Sequence, residues 1–147
     1  MRNQKDQRLD TIAAISLFQT SSKAQLKWLV PILTPVGVRA GTVLCTEGEP
    51  GRACYVVVTG EAKVAIGGDD VDTIGPGGFF GEMALLDGGP RVATVTAVTD
   101  MELLEMTRAD FISVITEVPA IARNMLVAVG ERLRLAHAQL HSGHVGI

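Results

Sequence analysis

The sequence predicts a mainly β domain with flanking helices, its short strands folded as a jelly-roll or β-sandwich between N-terminal helices and one long C-terminal helix. Three observations carry this prediction. Glycines divide residues 37–100 into short β-branched runs, with turn signals about every ten residues. A capped helical pattern precedes that region at Ser22. Helical periodicity returns after Met106 and runs to about Leu140. At 147 residues, 47% of them hydrophobic and 20% charged, the chain has the size and composition of one globular domain, so residues 1–147 are read as a single unit.

The first helix is expected over Leu9–Phe18, opening an N-terminal helical segment at about residues 9–36. Ser22-Lys23-Ala24-Gln25 has the form of a capping box: the serine hydroxyl accepts from an orphan backbone N–H and the glutamine reaches back. A second helix follows, with Leu26, Leu29, Val30 and Leu33 at helical spacing, and Pro31, Pro35 and Gly37 end it. The β region, residues 37–107, holds candidate strands at Thr42–Thr46, Cys54–Thr59, Glu61–Ile66, Asp70–Ile74, Arg91–Val98 and Met101–Met106. Within it Ala62, Val64 and Ile66 alternate with Glu61, Lys63 and Ala65, the pattern of a sheet with one buried face.

Residues 108–141 return to helix. Thr107 caps a helix over Arg108–Thr116, and Pro119 suits the first turn of a longer one. Ala122, Leu126, Val129, Leu133, Ala136 and Leu140 step alternately by four and three as a coiled-coil seam, beside a second apolar row of Ile121, Met125, Ala128 and Leu135. One row can cover the β core and the other can meet a partner helix, so a homodimer is expected. Gly130 interrupts the helix and marks a hinge or a close crossing.

Charge and composition exclude several functions. A formal net charge of -3 is wrong for a general binder of nucleic-acid backbone, and the residues after Leu140 are too few for a helix-turn-helix. The polar N-terminus lacks an apolar run behind a basic start, and the uncharged stretch Trp28–Val38 is too short for a bilayer, so a cytoplasmic protein without membrane contact is expected. Cys45 and Cys54 have no CxxC spacing and read as buried free thiols. The histidines, His137, His141 and His144, all follow the β region, which leaves a metal-dependent jelly-roll enzyme without ligands inside its barrel. No nucleophile stands in a recognisable catalytic motif, so neither catalysis nor a metal is expected.

The densest chemical signal is residues 79–94, Phe79-Phe80-Gly81-Glu82-Met83-Ala84-Leu85-Leu86-Asp87-Gly88-Gly89-Pro90-Arg91-Val92-Ala93-Thr94. Gly81 permits close backbone approach, and a short helical turn at Met83–Leu86 offers unpaired N–H groups to an anion. Glu82 is an acceptor suited to a ribose hydroxyl, and Arg91 is a planar fork of donors suited to phosphate oxygens. These devices describe a small anionic ribonucleotide.

Phe-Gly-Glu, an apolar turn and Pro-Arg-x-Ala-Thr closely resemble the phosphate-binding cassette of the cyclic-nucleotide-binding domain family, known from protein kinase A regulatory subunits, gated ion channels and catabolite-activator-type transcription factors. Gly41, Glu47-Gly48-Glu49, Tyr55 and Gly60 extend the resemblance over the family's β-roll, a double-stranded β-helix of jelly-roll type. The resemblance implies a sensor and not an enzyme. Glu82 would bind the ribose 2′-hydroxyl and Arg91 the equatorial phosphate oxygen, with Gly81 and the N–H groups of Met83, Ala84 and Val92 completing the cradle. Phe80, Val64 and Val71 would belong to the ligand pocket, Val64 and Val71 lining its base end. Family members that prefer cGMP tend to place Thr or Ser after the cassette arginine; Val92 stands there, which favours cAMP over cGMP. Ala136 and His137 fall where bacterial activators place hydroxyl residues against adenine. Arg132 falls on the stripe of Met125 and Ala128, directed at the roll and the ligand. Binding would be transmitted as a shift of the C-terminal helix to an effector or dimer interface. The other readings are the sensor fragment of a DNA-binding transcription regulator and a degenerate jelly-roll kept as an interaction module.

Overall fold

The computed structural model describes residues 3–143, with side chains as far as Ala138. Leu140 and His141, invoked above for the seam and the helix end, lie beyond the described side chains, and His144 lies beyond the described residues. Eight strands form two antiparallel sheets of four. The strands are β1 (Thr34–Val38), β2 (Val43–Cys45), β3 (Ala53–Thr59), β4 (Ala62–Ile66), β5 (Asp69–Ile74), β6 (Phe79–Phe80), β7 (Thr94–Ala97) and β8 (Met101–Thr107). One sheet runs β1-β8-β3-β6 and the other β2-β7-β4-β5.

Helices flank this roll: α1 (Gln4–Ala13), a 3-10 turn at Ser16–Phe18, α2 (Lys23–Leu29), α3 (Glu82–Asp87) inserted after β6, then α4 (Arg108–Glu117) and α5 (Pro119–Gly143). Both halves of the Ser22–Gln25 capping box form: the Gln25 N–H donates to Ser22 Oγ at 3.1 Å and the Ser22 N–H donates to Gln25 Oε1 at 2.8 Å. Thr107 Oγ1 accepts from the Asp110 N–H at 3.3 Å and starts α4. Pro119 opens α5 at a bend of 105° from α4.

The inner strands of the first sheet, β8 and β3, carry buried residues on both faces, so the molecule has three layers. Cys54, Val56, Leu104 and Met106 face the helices, where they meet Phe18, Leu29, Phe111 and Ile121. Val57, Met101 and Leu103 face the interior of the roll, with Ala62, Ile74, Val95 and Ala97 of the second sheet opposite. The two-residue β6 divides the layers, Phe79 turned to the helices and Phe80 to the roll.

Several expectations are corrected. The first helix begins at Gln4 and not Leu9, because Asn3 Oδ1 accepts the Asp6 N–H at 2.8 Å and caps a polar turn that carries no apolar signal. It also stops at Ala13, leaving residues 16–18 as a separate turn. Residues 34–38, read as the end of the N-terminal helical segment, form a strand; Pro35 fits there because β1 is an edge strand. Residues 91–93 are loop, and only Thr94–Ala97 of the expected strand joins the sheet. The alternation in β4 fails at its end: Ala62 is buried, but a bulge between Val64 and Ala65 breaks the register and Ile66 is exposed. On α5, Ile121 and Met125 pack into the core, whereas Leu135 is 65% exposed and leaves that row. A Cβ at Gly130 would meet nothing within 4 Å, so among the described residues no element crosses closely there.

Candidate functional site

Gly81 starts the site. Its φ of +88° lies in the left-handed region, which turns the chain sharply from β6 into α3, and a Cβ there would sit 2.6 Å from Arg91 Nη1. Glu82, the first residue of α3, is thereby turned inward and is only 7% exposed. Arg91 is brought to the same place by the loop after α3. Its N–H donates to Glu49 O at 2.8 Å and its carbonyl accepts from the Gly48 N–H at 2.9 Å. Its guanidinium, 8% exposed overall, donates from Nη1 to Gly81 O at 2.9 Å and from Nη2 to Ala53 O at 2.7 Å. These bonds fix the plane of the guanidinium and leave its remaining N–H donors for a ligand.

Burial pushes the Glu82 carboxyl above its ordinary value of 4.5; its own backbone hydrogen bond, then Arg132, then Arg91 oppose the shift. A carboxylate held this deep beside two cations is costly to leave without further donors. Arg132 arrives from α5: Nη2 donates to Phe79 O at 2.8 Å, and the guanidinium carbon stands 4.9 Å from the centre of the Phe79 ring. The C-terminal helix is therefore tied to Phe79, three places before Glu82.

One cavity of about 140 Å³ is enclosed by these parts, roughly ten times what a single water requires. Gly81, Glu82, Met83 and Ala84 line it from the start of α3, Arg91 and Val92 from the loop, Val64 and Phe80 from the strands, and Arg132 from α5. Phe80 is held by stacking on Tyr55, with ring centres 5.2 Å apart. Met83 and Val92 are about half exposed at its mouth, at 49% and 53%.

Val71 is not brought to the cavity. It is 50% exposed, and the bulge that pairs Val64 with Asp72 and Ala65 with Asp70 leaves it without a partner, one residue out of phase with Asp72 and Ile74. Those two residues line the cavity in its stead. Ala136 and His137 are exposed and take no part in the lining. Sequence reasoning also missed Cys45, Ala93 and Val95 on the wall, and Gly51 behind it. A Cβ at Gly51 would collide with Ala84 Cβ and stand 3.2 Å from Arg91 Cζ, so this glycine keeps the space in which the guanidinium lies. Gly51 carried no signal beyond a place in a Pro-Gly turn.

Cys45 and Cys54 are buried free thiols, as expected. Burial raises both, Cys54 to about 12, so both stay protonated and unreactive. Among the described residues no cluster of three or more His, Cys, Asp or Glu could hold a metal, and no single helix is long and apolar enough to cross a membrane.

The family model of the cyclic nucleotide-binding domain matches residues 35–117, which cover β1 to α4 and the whole cavity wall except Arg132. The chain belongs to the cyclic nucleotide-binding domain family. Among its relatives, a cyclic nucleotide-gated potassium channel of Mesorhizobium japonicum is 44% identical over 111 residues, 76% of this chain and 31% of the channel. The Thermus thermophilus catabolite activator protein superposes with a TM-score of 0.73 at 32% identity, over 84% of this chain and 61% of that one. The regulatory domain of Toxoplasma gondii protein kinase A, solved with cAMP, superposes with a TM-score of 0.66 at 29% identity, over 98% of this chain and 54% of that one. The chain thus spans about a third of the channel and somewhat over half of the two solved chains. The jelly-roll with flanking helices is the fold of these neighbours, and the family is a regulatory one.

Proposed function

We propose that this chain acts as one sensor unit that binds cAMP in the cavity and reports occupancy through α5. The observation that carries the reading is the convergence of a buried carboxylate, Glu82, and a buried guanidinium, Arg91, on one cavity that also receives Arg132 from the helix that leads away. Arg91 pairs with a phosphate oxygen, the N–H groups of Met83, Ala84 and Val92 take the others, and Glu82 accepts from the ribose 2′-hydroxyl. Val64, Phe80 and Ile74 pack against the base. Val92 offers no hydroxyl to a guanine, and the T. gondii relative was solved with cAMP; both favour cAMP over cGMP.

Relay follows from the position of Arg132. An anion beside Arg91 and Glu82 changes the charge balance that Arg132 feels, and differential contacts of this kind shift a two-state equilibrium of α5. The exposed residues of the seam, Leu126 at 72% and Leu133 at 66%, then meet a second copy of the chain or an effector, while Val129 stays against the core.

Charge-assisted hydrogen bonds contribute about 1.5–3 kcal/mol each, so Arg91→Ala and Glu82→Ala each weaken cAMP binding by roughly ten- to 150-fold in calorimetry. The 2′-deoxy analogue binds the wild type weakly and loses little further in Glu82→Ala. Unchanged affinity in both variants overturns the assignment.

A further inference from the structure

We propose that Asp72 selects the base: its carboxylate accepts a hydrogen bond from the exocyclic 6-amino group of a purine and disfavours a 6-oxo purine. The proposal rests on the reading of the cavity as a cyclic-nucleotide site. The register of the second sheet places Val95, Val64 and Asp72 in one row across β7, β4 and β5, and Ala97, Ala62 and Ile74 in the next. Five of these six are apolar; Val95 and Ile74, like Ala97 and Ala62, are buried in the roll. Asp72 alone carries charge; exposed to solvent on one side, it lines the cavity beside Val64 and Ile74 from the edge strand of the sheet.

A carboxylate in this row does not serve a phosphate, since two anions repel. The phosphate-type donors belong to the other wall, where Arg91 is anchored to Gly81 O and to Ala53 O of the first sheet. What remains for Asp72 is the end of the ligand that carries N–H donors. Asp72 Oδ1 accepts from the Thr73 N–H at 2.8 Å, which orients the carboxyl and leaves Oδ2 for another donor. An ionised carboxylate only accepts. A 6-amino purine gives it a donor, while a 6-oxo purine sets carbonyl lone pairs against it, so one residue both rewards one base and penalises the other. A charge on an edge strand also discourages edge-to-edge pairing, a role with no consequence for base preference.

The test is calorimetric titration of the wild type, Asp72→Asn and Asp72→Ala with cAMP, cGMP and 3′,5′-cyclic inosine monophosphate, which has the 6-oxo group without a 2-amino group. The wild type is expected to bind cAMP about tenfold or more tightly than the inosine nucleotide, and both variants to bring that ratio to within about threefold. Melting curves report that the variants fold. A ratio unchanged in folded variants overturns the proposal and leaves the edge-protecting role. So does a loss confined to cGMP, which would mean that the carboxylate reads the N1 and 2-amino edge of guanine. Failure of all three nucleotides to bind the wild type, or indifference of all three to Arg91→Ala, overturns the nucleotide site itself and Asp72's role with it; a loss on Arg91→Ala with no effect of Asp72 substitution overturns the latter alone.

Discussion

At the scale of single residues, Glu82 is a carboxylate whose burial works against its charged form. Burial raises its pKa above 4.5, so the folded state holds this proton more tightly than the unfolded chain does. Stability from this group is therefore fully present below the unfolded value and is lost as pH rises through the folded one, the reverse of a salt-bridged carboxylate. Denaturant midpoints measured from pH 4 to pH 8 should show the wild type falling behind Glu82→Gln as pH rises through that window. A constant gap between the two would contradict it. On the proposed reading, cAMP affinity should move the other way and weaken on acidification in calorimetry, because a protonated Glu82 loses its charge as an acceptor. Residue types were legible here and environment was not: Glu82 and Arg91 stand out by their spacing in the sequence, whereas the role of Gly51 depends on Ala84 and Arg91, more than thirty residues away, packing against it.

Among the elements, side-chain hydrogen bonds fasten α5 at Asn124 and at Arg132. Asn124 Nδ2 donates to Leu17 O and to Thr20 Oγ1, both at 2.9 Å, and Arg132 holds Phe79. From Leu133 to Ala138 every residue is exposed. Arg132→Ala removes a hydrogen bond and a cation–π contact, together worth about 1.5–2 kcal/mol at this half-buried site. Amide exchange of residues 133–138 should accelerate about tenfold, while that of Ile121 and Met125 stays slow; equal protection in the variant would mean that Arg132 does not hold the helix. The period of α5 and its opening proline were readable, as were the caps at Ser22 and Thr107, because helix signals are local. β1 was hidden by Pro35, which only its edge position makes acceptable, and β6 by having two residues.

The whole molecule stacks helices, a first sheet and a second sheet, and on α5 the seam residues Leu126 and Leu133 are uncovered while Val129 between them packs against the core. Leu126 and Leu133 are 72% and 66% exposed, with Val127 at 54% beside them. Light scattering should give a dimer for the wild type and a monomer for the double variant Leu126→Glu, Leu133→Glu, with cAMP affinity in the monomer still sensitive to Arg91→Ala. A wild-type monomer at high concentration, with and without cAMP, would remove the seam from the relay. What the sequence by itself determined was chemistry and local order: turns, caps, periods, and the Gly81–Glu82 and Arg91 pair, each written in residues close along the chain. Only the tertiary structure decided which side chains share a cavity. Strand register is a long-range property, and one bulge in the β4–β5 pair turned Val71 outward and set Asp72 on the wall, a choice that no window of neighbouring residues encodes.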